Sequence, residues 1–62
     1  MADRPIRLIR EEAVLQRVHY SPVHIWRLEK AGEFPLRVHL GANRVAWVEE
    51  EIDAWIASKL KE

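Results

Sequence analysis

A chain of 62 residues is long enough for one small domain, and a domain of that size buries only about 60% of the surface that its unfolded chain exposes. This leaves little room for an enclosed active site, and the absence of cysteine excludes disulfides and thiolate zinc ligands. Ten Lys and Arg balance ten Asp and Glu, so net charge alone argues against a nucleic-acid partner. Since no apolar run approaches the length of a membrane span or signal peptide, we expect a single soluble, cytoplasmic domain over residues 1–62.

The charges are unevenly distributed along the chain. Residues 1–44 carry eight Lys or Arg against five Asp or Glu, whereas residues 45–62 carry two against five. This asymmetry favours a basic surface on the first two thirds of the chain and an acidic segment that faces away from it. Ordinary solvated charge explains the same counts equally well.

The first part of the chain predicts a loose terminus, a short extended piece and a helix. Residues 1–5 are polar and end in a proline, and residues 6–9 form the extended piece. A helix over 10–18 follows, because Glu11 and Glu12 place negative charge in its first turn. Its inward stripe consists of Val14, Leu15 and Val18.

The segment 20–32 has the start and stop signals of a second helix. Ser21 is a favoured N-cap, Pro22 suits the first helical position, and Gly32 suits a left-handed helix end. The connector from the first helix is about three residues long, which matches the corner of a helix-turn-helix although it lacks the glycine often found there.

This second helix presents a polar outer face. Tyr20 and Ile25 have the spacing of a hydrophobic staple, which fixes the angle at which the chain enters the helix. If Ile25 and Leu28 face inward, the opposite stripe and its flanks hold the remaining large side chains. These are Val23, His24, Trp26, Arg27 and Lys30.

The segment 36–48 alternates apolar and polar residues, which predicts a β-hairpin with a two-residue turn at Ala42-Asn43. The predicted pairs are Gly41 with Arg44, Leu40 with Val45, His39 with Ala46, and Val38 with Trp47. This register places Val38, Leu40, Val45 and Trp47 on a buried face. It places Arg37, His39 and Arg44 on a basic face together with Ala46 and Val48.

The last helix is predicted over 49–61, with three glutamates in its first turn. Its inward residues recur at helical spacing: Ile52, Trp55, Ile56 and Leu60. Together with Trp47, Trp55 is expected to supply much of the core, because large aromatic side chains bury the most area per residue.

The order of elements is helix, tight turn, capped helix, hairpin and helix. This mainly helical layout with a small hairpin predicts a winged helix-turn-helix, in which the second helix enters a DNA major groove and the hairpin, or wing, lies along the backbone or minor groove.

Four motifs in this order carry a family resemblance: SPVHIWRL at 21–28, AGEFP at 31–35, VHLG at 38–41 and VAWVEEEIDAWI at 45–56. Over residues 8–56 the chain resembles the AlpA-like phage regulators and excisionases, whose fold is related to the DNA-binding domain of MerR-type regulators. The resemblance implies a sequence-specific DNA-binding protein that acts as an excisionase or a transcriptional regulator. It also implies self-association on adjacent DNA sites.

The family segment that matches 21–28 is usually close to S-R-S-T-I-Y-R-L, and its middle positions contact DNA. This chain keeps the serine, isoleucine, arginine and leucine, and has Trp26 where tyrosine is common. It has Pro22, Val23 and His24 where arginine, serine and threonine are frequent. The N-cap serine and the inward-facing isoleucine and leucine of the helix therefore match the family, whereas three positions in the part that contacts DNA in the family carry different side chains.

Within the helix, Arg27 is the strongest candidate for a DNA contact, because arginine bridges guanine O6 and N7 or binds phosphate. An ordinary surface charge is the alternative. A contact with a thymine methyl group would explain the apolar Val23. On the wing, phosphate or minor-groove contacts compete with the simpler explanation that edge strands carry charge to prevent aggregation. The full predicted DNA-binding set is Ser21, Pro22, Val23, His24, Arg27, Lys30, Arg37, His39, Asn43 and Arg44.

Other kinds of site have little support in the sequence. The spacing of His19, His24 and His39 fits no zinc pattern, and no glycine-rich phosphate loop is present. We therefore expect no metal, no cofactor, no small-molecule substrate and no enzymatic activity, with double-stranded DNA as the partner. The alternative is a protein-interaction module that keeps the winged fold but binds a protein through Val23 and Trp26.

Overall fold

The computed structural model describes residues 6–61, and the loose terminus predicted for residues 1–5 lies outside them. In chain order the elements are β1 (Leu8–Ile9), α1 (Glu11–Val18), α2 (Pro22–Lys30), β2 (Val38–Gly41), β3 (Arg44–Val48) and α3 (Glu49–Leu60). The three predicted helices, the hairpin and the extended piece are confirmed, with bounds that differ from the predicted ones by a few residues at most.

The wing is part of a three-stranded antiparallel sheet in the order β1-β3-β2. Only the two strands of the hairpin were predicted to pair, because the sequence pattern does not show that the extended piece joins them. Leu8 lies opposite Val48 and Ile9 lies opposite Trp47. The backbone N–H of Glu49 continues this pairing by donating to the carbonyl of Arg7 at 2.8 Å. The sheet is thereby attached to the start of α1 as well as to α3.

The hairpin register differs from the prediction beyond its first pair. The observed pairs are Val38 with Ala46, His39 with Val45, and Gly41 with Arg44. The predicted pairs of Leu40 with Val45, His39 with Ala46, and Val38 with Trp47 are therefore wrong. Leu40 lies between two consecutive pairs as the extra residue of a bulge, and its side chain is 55% exposed instead of buried.

The cause of the bulge lies in the turn. Asn43 has a positive φ of 63°, but Ala42 does not adopt a positive φ. A type I′ turn requires positive φ at both central residues, so this hairpin does not have the turn whose twist matches two regularly paired strands. A bulge adds local twist and compensates for the mismatch.

The shifted register also changes the faces of the hairpin. Paired residues share a face and neighbours along a strand alternate, so His39 shares its face with Val45 whereas Arg44 points the other way. Arg44 therefore does not share the basic face that was predicted for it with Arg37 and His39.

The core draws a residue from each helix, from β3 and from the loop before β2. The buried cluster is Val14, Ile25, Phe34, Trp47 and Ile52. Leu15, Val18, Leu28, Trp55 and Ile56 pack around it, as predicted. Leu60 is a correction, because it is 81% exposed. It is the last residue of α3, one turn beyond Ile56, and lies past the end of the core.

The corner between α1 and α2 contains a histidine in a left-handed conformation. His19 has φ 61° and ψ 33°, and its backbone N–H donates to the carbonyl of Leu15 at 2.8 Å. Histidine adopts this conformation more readily than bulky or β-branched residues do. The corner therefore reaches the expected geometry without the glycine that is common in such turns.

Both ends of α2 are confirmed. The Ser21 hydroxyl accepts a hydrogen bond from the backbone N–H of His24 at 3.2 Å. At the other end Gly32 has φ 75°, its N–H donates to the Glu29 carbonyl, and the N–H of Glu33 donates to the Leu28 carbonyl. This pair of bonds is a Schellman motif, which satisfies carbonyls that the helix leaves unpaired.

Tyr20 adds a further restraint at the start of α2. Its ring stacks on His24 at a centroid distance of 4.1 Å and meets the edge of Trp55 at 6.2 Å. The Tyr20 ring therefore lies between the first turn of α2 and α3, and this position restrains the chain where it enters α2.

Candidate functional site

A single buried carboxylate joins α2 to the wing. The Glu29 side chain is only 8% exposed and accepts hydrogen bonds from Arg37 Nε at 2.9 Å and from Trp47 Nε1 at 3.0 Å. The Arg37 guanidinium also lies 5.0 Å from the centre of the Trp47 ring. Because a buried charge is tolerated only when it is paired, these contacts fix the position of α2 relative to the wing.

This contact was not predicted from the sequence, and Arg37 was predicted to contact DNA instead. One signal was present, because a buried tryptophan usually needs an acceptor for its indole N–H and Trp47 was predicted to be buried. Glu29 follows the inward Leu28 on α2 and is therefore placed near the core edge. A DNA contact by Arg37 remains a prediction, but it competes with the pairing to Glu29.

The outer face of α2 has the composition that the helical spacing predicted. Val23 and Trp26 are 57% and 50% exposed, and Arg27 and Lys30 are also exposed. The Lys30 Nζ lies 4.6 Å from the centre of the Trp26 ring. This face therefore combines an apolar patch with two cations.

Trp26 forms a ridge between two shallow depressions. One depression separates α2 from β2 and is lined by Trp26, Glu29, Lys30, Leu36, Arg37 and His39. The other is lined by Glu11, Pro22, Val23, Trp26 and Arg37. The structure thus brings five of the predicted site residues around Trp26, namely Pro22, Val23, Lys30, Arg37 and His39.

The wing tip is a separate part of the predicted site. Asn43 and Arg44 border a depression that they share with Leu40 and with residues at the start of α1, among them Glu11 and Glu12. Asn43 and Arg44 are exposed but line neither of the depressions at Trp26.

The remaining predicted residues lie in the first turn of α2. Ser21 serves as the N-cap, and His24 is exposed but stacks with one face on Tyr20. Both have a structural role in addition to the DNA contact predicted for them.

Ion pairing divides the basic residues into two groups. Arg7 pairs with Glu49 at 3.3 Å, Arg17 pairs with Glu49 at 2.8 Å and with Asp53, and Arg37 pairs with Glu29. Two acidic residues of α3, Glu49 and Asp53, therefore face Arg17 on α1. In contrast, Arg27, Lys30 and Arg44 make no ion pair within residues 6–61. The charge available to an anionic partner thus includes positive charge on α2 and the wing, although the net charge is zero.

Residues 6–61 provide neither a metal-binding cluster nor a membrane-spanning helix. Among those residues, no three His, Cys, Asp or Glu side chains are grouped so as to hold a metal ion. None of the helices there combines the length and the apolar composition needed to cross a membrane.

A capped helix that is fixed against a hairpin and preceded by a tight corner defines a small winged helix-turn-helix protein. Residues 7–60 match the model of the family described as prophage CP4-57 regulatory protein (AlpA), and the chain belongs to this family. The resemblance to AlpA-like phage regulators is thereby confirmed.

Two relatives are similar over most of the chain. The DNA-binding transcriptional activator AlpA of Escherichia coli K12 is 31% identical in an alignment that covers 90% of this chain and 89% of that protein. The uncharacterized protein ORF88 of Enterobacteria phage P4 is 37% identical over 54 residues, which cover 87% of this chain. The matched part spans 61% of the length of the phage protein.

Proposed function

We propose that this protein is a DNA-binding phage or prophage regulator, with α2 in the major groove and the wing along the backbone or minor groove. The observation that carries the proposal is the exposed face of α2, where Arg27 and Lys30 make no ion pair within residues 6–61. The name of the E. coli relative, a DNA-binding transcriptional activator, supports the same function.

The dipole of α2 adds to this argument. The first turn of α2 carries no acidic residue, whereas the first turns of α1 and α3 carry two and three. The positive end of α2 is therefore not neutralised by its own side chains, which suits the approach of a phosphate.

Each predicted contact except Arg37, which pairs with Glu29, has a role in this proposal. Arg27 binds a guanine edge or a phosphate, and Lys30 and Arg44 bind phosphates on either side. His39 and Asn43 contact the backbone from the wing, and the first turn of α2 approaches the groove. This first turn comprises Ser21, Pro22, Val23 and His24.

The regulatory role takes one of two forms, and both require the same contacts with DNA. Transcriptional regulation is supported by the name of the E. coli relative. Excision of a prophage, with bending of the DNA, is the other form. In both we expect the protein to act at the bacterial nucleoid and to self-associate on adjacent sites, because a single small module buries too little surface for high specificity.

The salt dependence of DNA binding tests the proposal. A binding duplex is first selected from a randomised library, and its affinity is measured by fluorescence anisotropy from about 50 mM to about 200 mM salt. We expect Arg27→Ala to weaken binding by about fivefold to 150-fold, since a bidentate arginine–base contact contributes about 1–3 kcal/mol. Arg44→Ala should lower the slope of log affinity against log salt by about one.

Lys61→Ala is the matched control, because it removes a cation beyond the end of α3. Its affinity and slope should equal those of the unmodified protein. An affinity that does not change with salt for any duplex would contradict the proposal.

The exposed Val23 and Trp26 favour a second candidate, a protein-interaction module on the same fold. That function predicts that Arg27→Ala and Arg44→Ala change any retention on DNA by the same small amount as Lys61→Ala.

A further inference from the structure

We infer that Val23 and Trp26 together read thymine methyl groups in the major groove, so that the bound sequence has thymines opposite the first two turns of α2. This inference rests on the proposed function and specifies the chemistry by which the helix selects its sequence.

The two side chains form one apolar patch. They are three positions apart on α2, which places them on the same side of the helix, and they line a common depression with Pro22. Glu11 and Arg37 complete the lining of this depression. Both remain at least half exposed, although each is large enough to stabilise the fold if it were buried. Their apolar surface is therefore directed outward rather than used in the core.

Lys30 restrains the tryptophan at this patch. Its ammonium lies 4.6 Å from the centre of the Trp26 ring, and a cation over an indole face is held by the ring quadrupole. The ring is thus positioned before a partner arrives, with a positive charge next to it. A rigid ring loses less conformational freedom on binding than a free one does.

The surroundings of the patch identify DNA as its occupant. Lys30 lies over the Trp26 ring, and Arg27 is four positions after Val23 and therefore on the same side of α2. Neither cation has an ion pair within residues 6–61, so both are available to the phosphates that form the walls of a groove. On the floor of the major groove, the thymine C5-methyl group is the apolar feature that distinguishes one base from another. An apolar protein surface would cover the patch equally well but would leave these two cations desolvated without a partner.

Deoxyuridine provides the test, because it lacks only the methyl group of thymidine. Two randomised duplex libraries are prepared, one with thymidine and one with deoxyuridine throughout, and binders are selected from the thymidine library with the full chain. The selected duplex is then compared with its deoxyuridine copy by fluorescence anisotropy. We expect the deoxyuridine copy to bind about fourfold to fifteenfold more weakly, since burying one methyl contributes about 0.8 kcal/mol and one or two are contacted.

The side chains are tested by truncation. Val23→Ala and Trp26→Ala should each reduce the ratio of the two affinities toward one, and Trp26→Phe should retain part of it. Leu60→Ala is the control, because it also truncates an exposed apolar side chain but at the end of α3. It should keep the full ratio.

The possible outcomes separate the inference from the proposed function. Equal affinity for the two duplexes, or an unchanged ratio in Val23→Ala and Trp26→Ala, would overturn the inference while salt-dependent binding still supported a DNA-binding regulator. Absence of binding to either library would overturn both. Because both side chains are exposed, circular dichroism should show that the variants remain folded.

Discussion

Glu29 is the residue on which the geometry between α2 and the wing depends. Its carboxylate accepts hydrogen bonds from Arg37 on the segment before β2 and from Trp47 on β3. The two donors approach different oxygens, so removing the carboxylate leaves both without their acceptor. One side chain of α2 thus contacts both the segment that leads into the wing and strand β3 of the wing.

We predict that Glu29→Ala destabilises the fold by about 1–3 kcal/mol, because it leaves the buried Trp47 indole N–H unsatisfied. In a domain of this size each kcal/mol lowers the melting temperature by about 4–8 °C. Thermal unfolding followed by circular dichroism measures the shift in melting temperature.

Glu33→Ala is the matched control for this prediction, since it removes an exposed glutamate just after α2. Its melting temperature should stay close to that of the unmodified protein. Equal melting temperatures for Glu29→Ala and the unmodified protein would show that the carboxylate does not hold the wing.

For single residues, helical spacing in the sequence predicts which side chains are buried but not which charged side chains pair with each other. The inward positions of Ile25 and Ile52 follow from helical spacing alone. The partner of Arg37 depends on where a distant helix places Glu29, and no spacing rule between these two residues specifies that.

At the scale of elements, the ends of α2 were predictable because a cap is a local interaction. The Ser21 side chain and the backbone N–H that it caps are three residues apart. Gly32 adopts its positive φ because glycine has no Cβ, which is a property of that residue alone. The hairpin register was less predictable, since it depends on how the turn at Ala42-Asn43 matches the twist of both strands. The β1 strand is only two residues long and was recognisable as paired only once β3 was in place.

We predict that Ser21→Ala destabilises the protein by about 1 kcal/mol, because the N–H of His24 loses its acceptor. Ser21→Asp should retain the stability, since aspartate is an equally good N-cap, but it should weaken DNA binding by placing negative charge at the start of α2. Urea unfolding and the anisotropy assay measure the two effects.

Ser58→Ala is the control for the cap. The Ser58 hydroxyl donates to the carbonyl of Trp55 within α3, and such bonds slightly destabilise helices. We therefore expect this change to be neutral or slightly stabilising. A loss of stability in Ser58→Ala equal to that in Ser21→Ala would mean that the effect of Ser21 does not come from capping.

At the scale of the whole molecule, the net charge of zero does not show that the basic residues divide into those that form ion pairs within residues 6–61 and those that do not. Arg17 joins α1 to α3 through Glu49 and Asp53. Arg27 has no ion pair within residues 6–61 and lies on the outer face of α2. Composition gives only the total charge, whereas the fold determines which charges are neutralised internally.

This division predicts opposite effects for two variants that change the net charge equally. Arg17→Ala should lower the free energy of unfolding by about 0.2–1 kcal/mol, the range for exposed ion pairs, and leave DNA affinity unchanged. Arg27→Ala should weaken DNA binding and leave stability unchanged. Urea unfolding and anisotropy on the selected duplex, applied to both variants, measure the four values. If Arg17→Ala weakened DNA binding as much as Arg27→Ala does while the protein stayed folded, binding would depend on total charge rather than on the face that α2 presents.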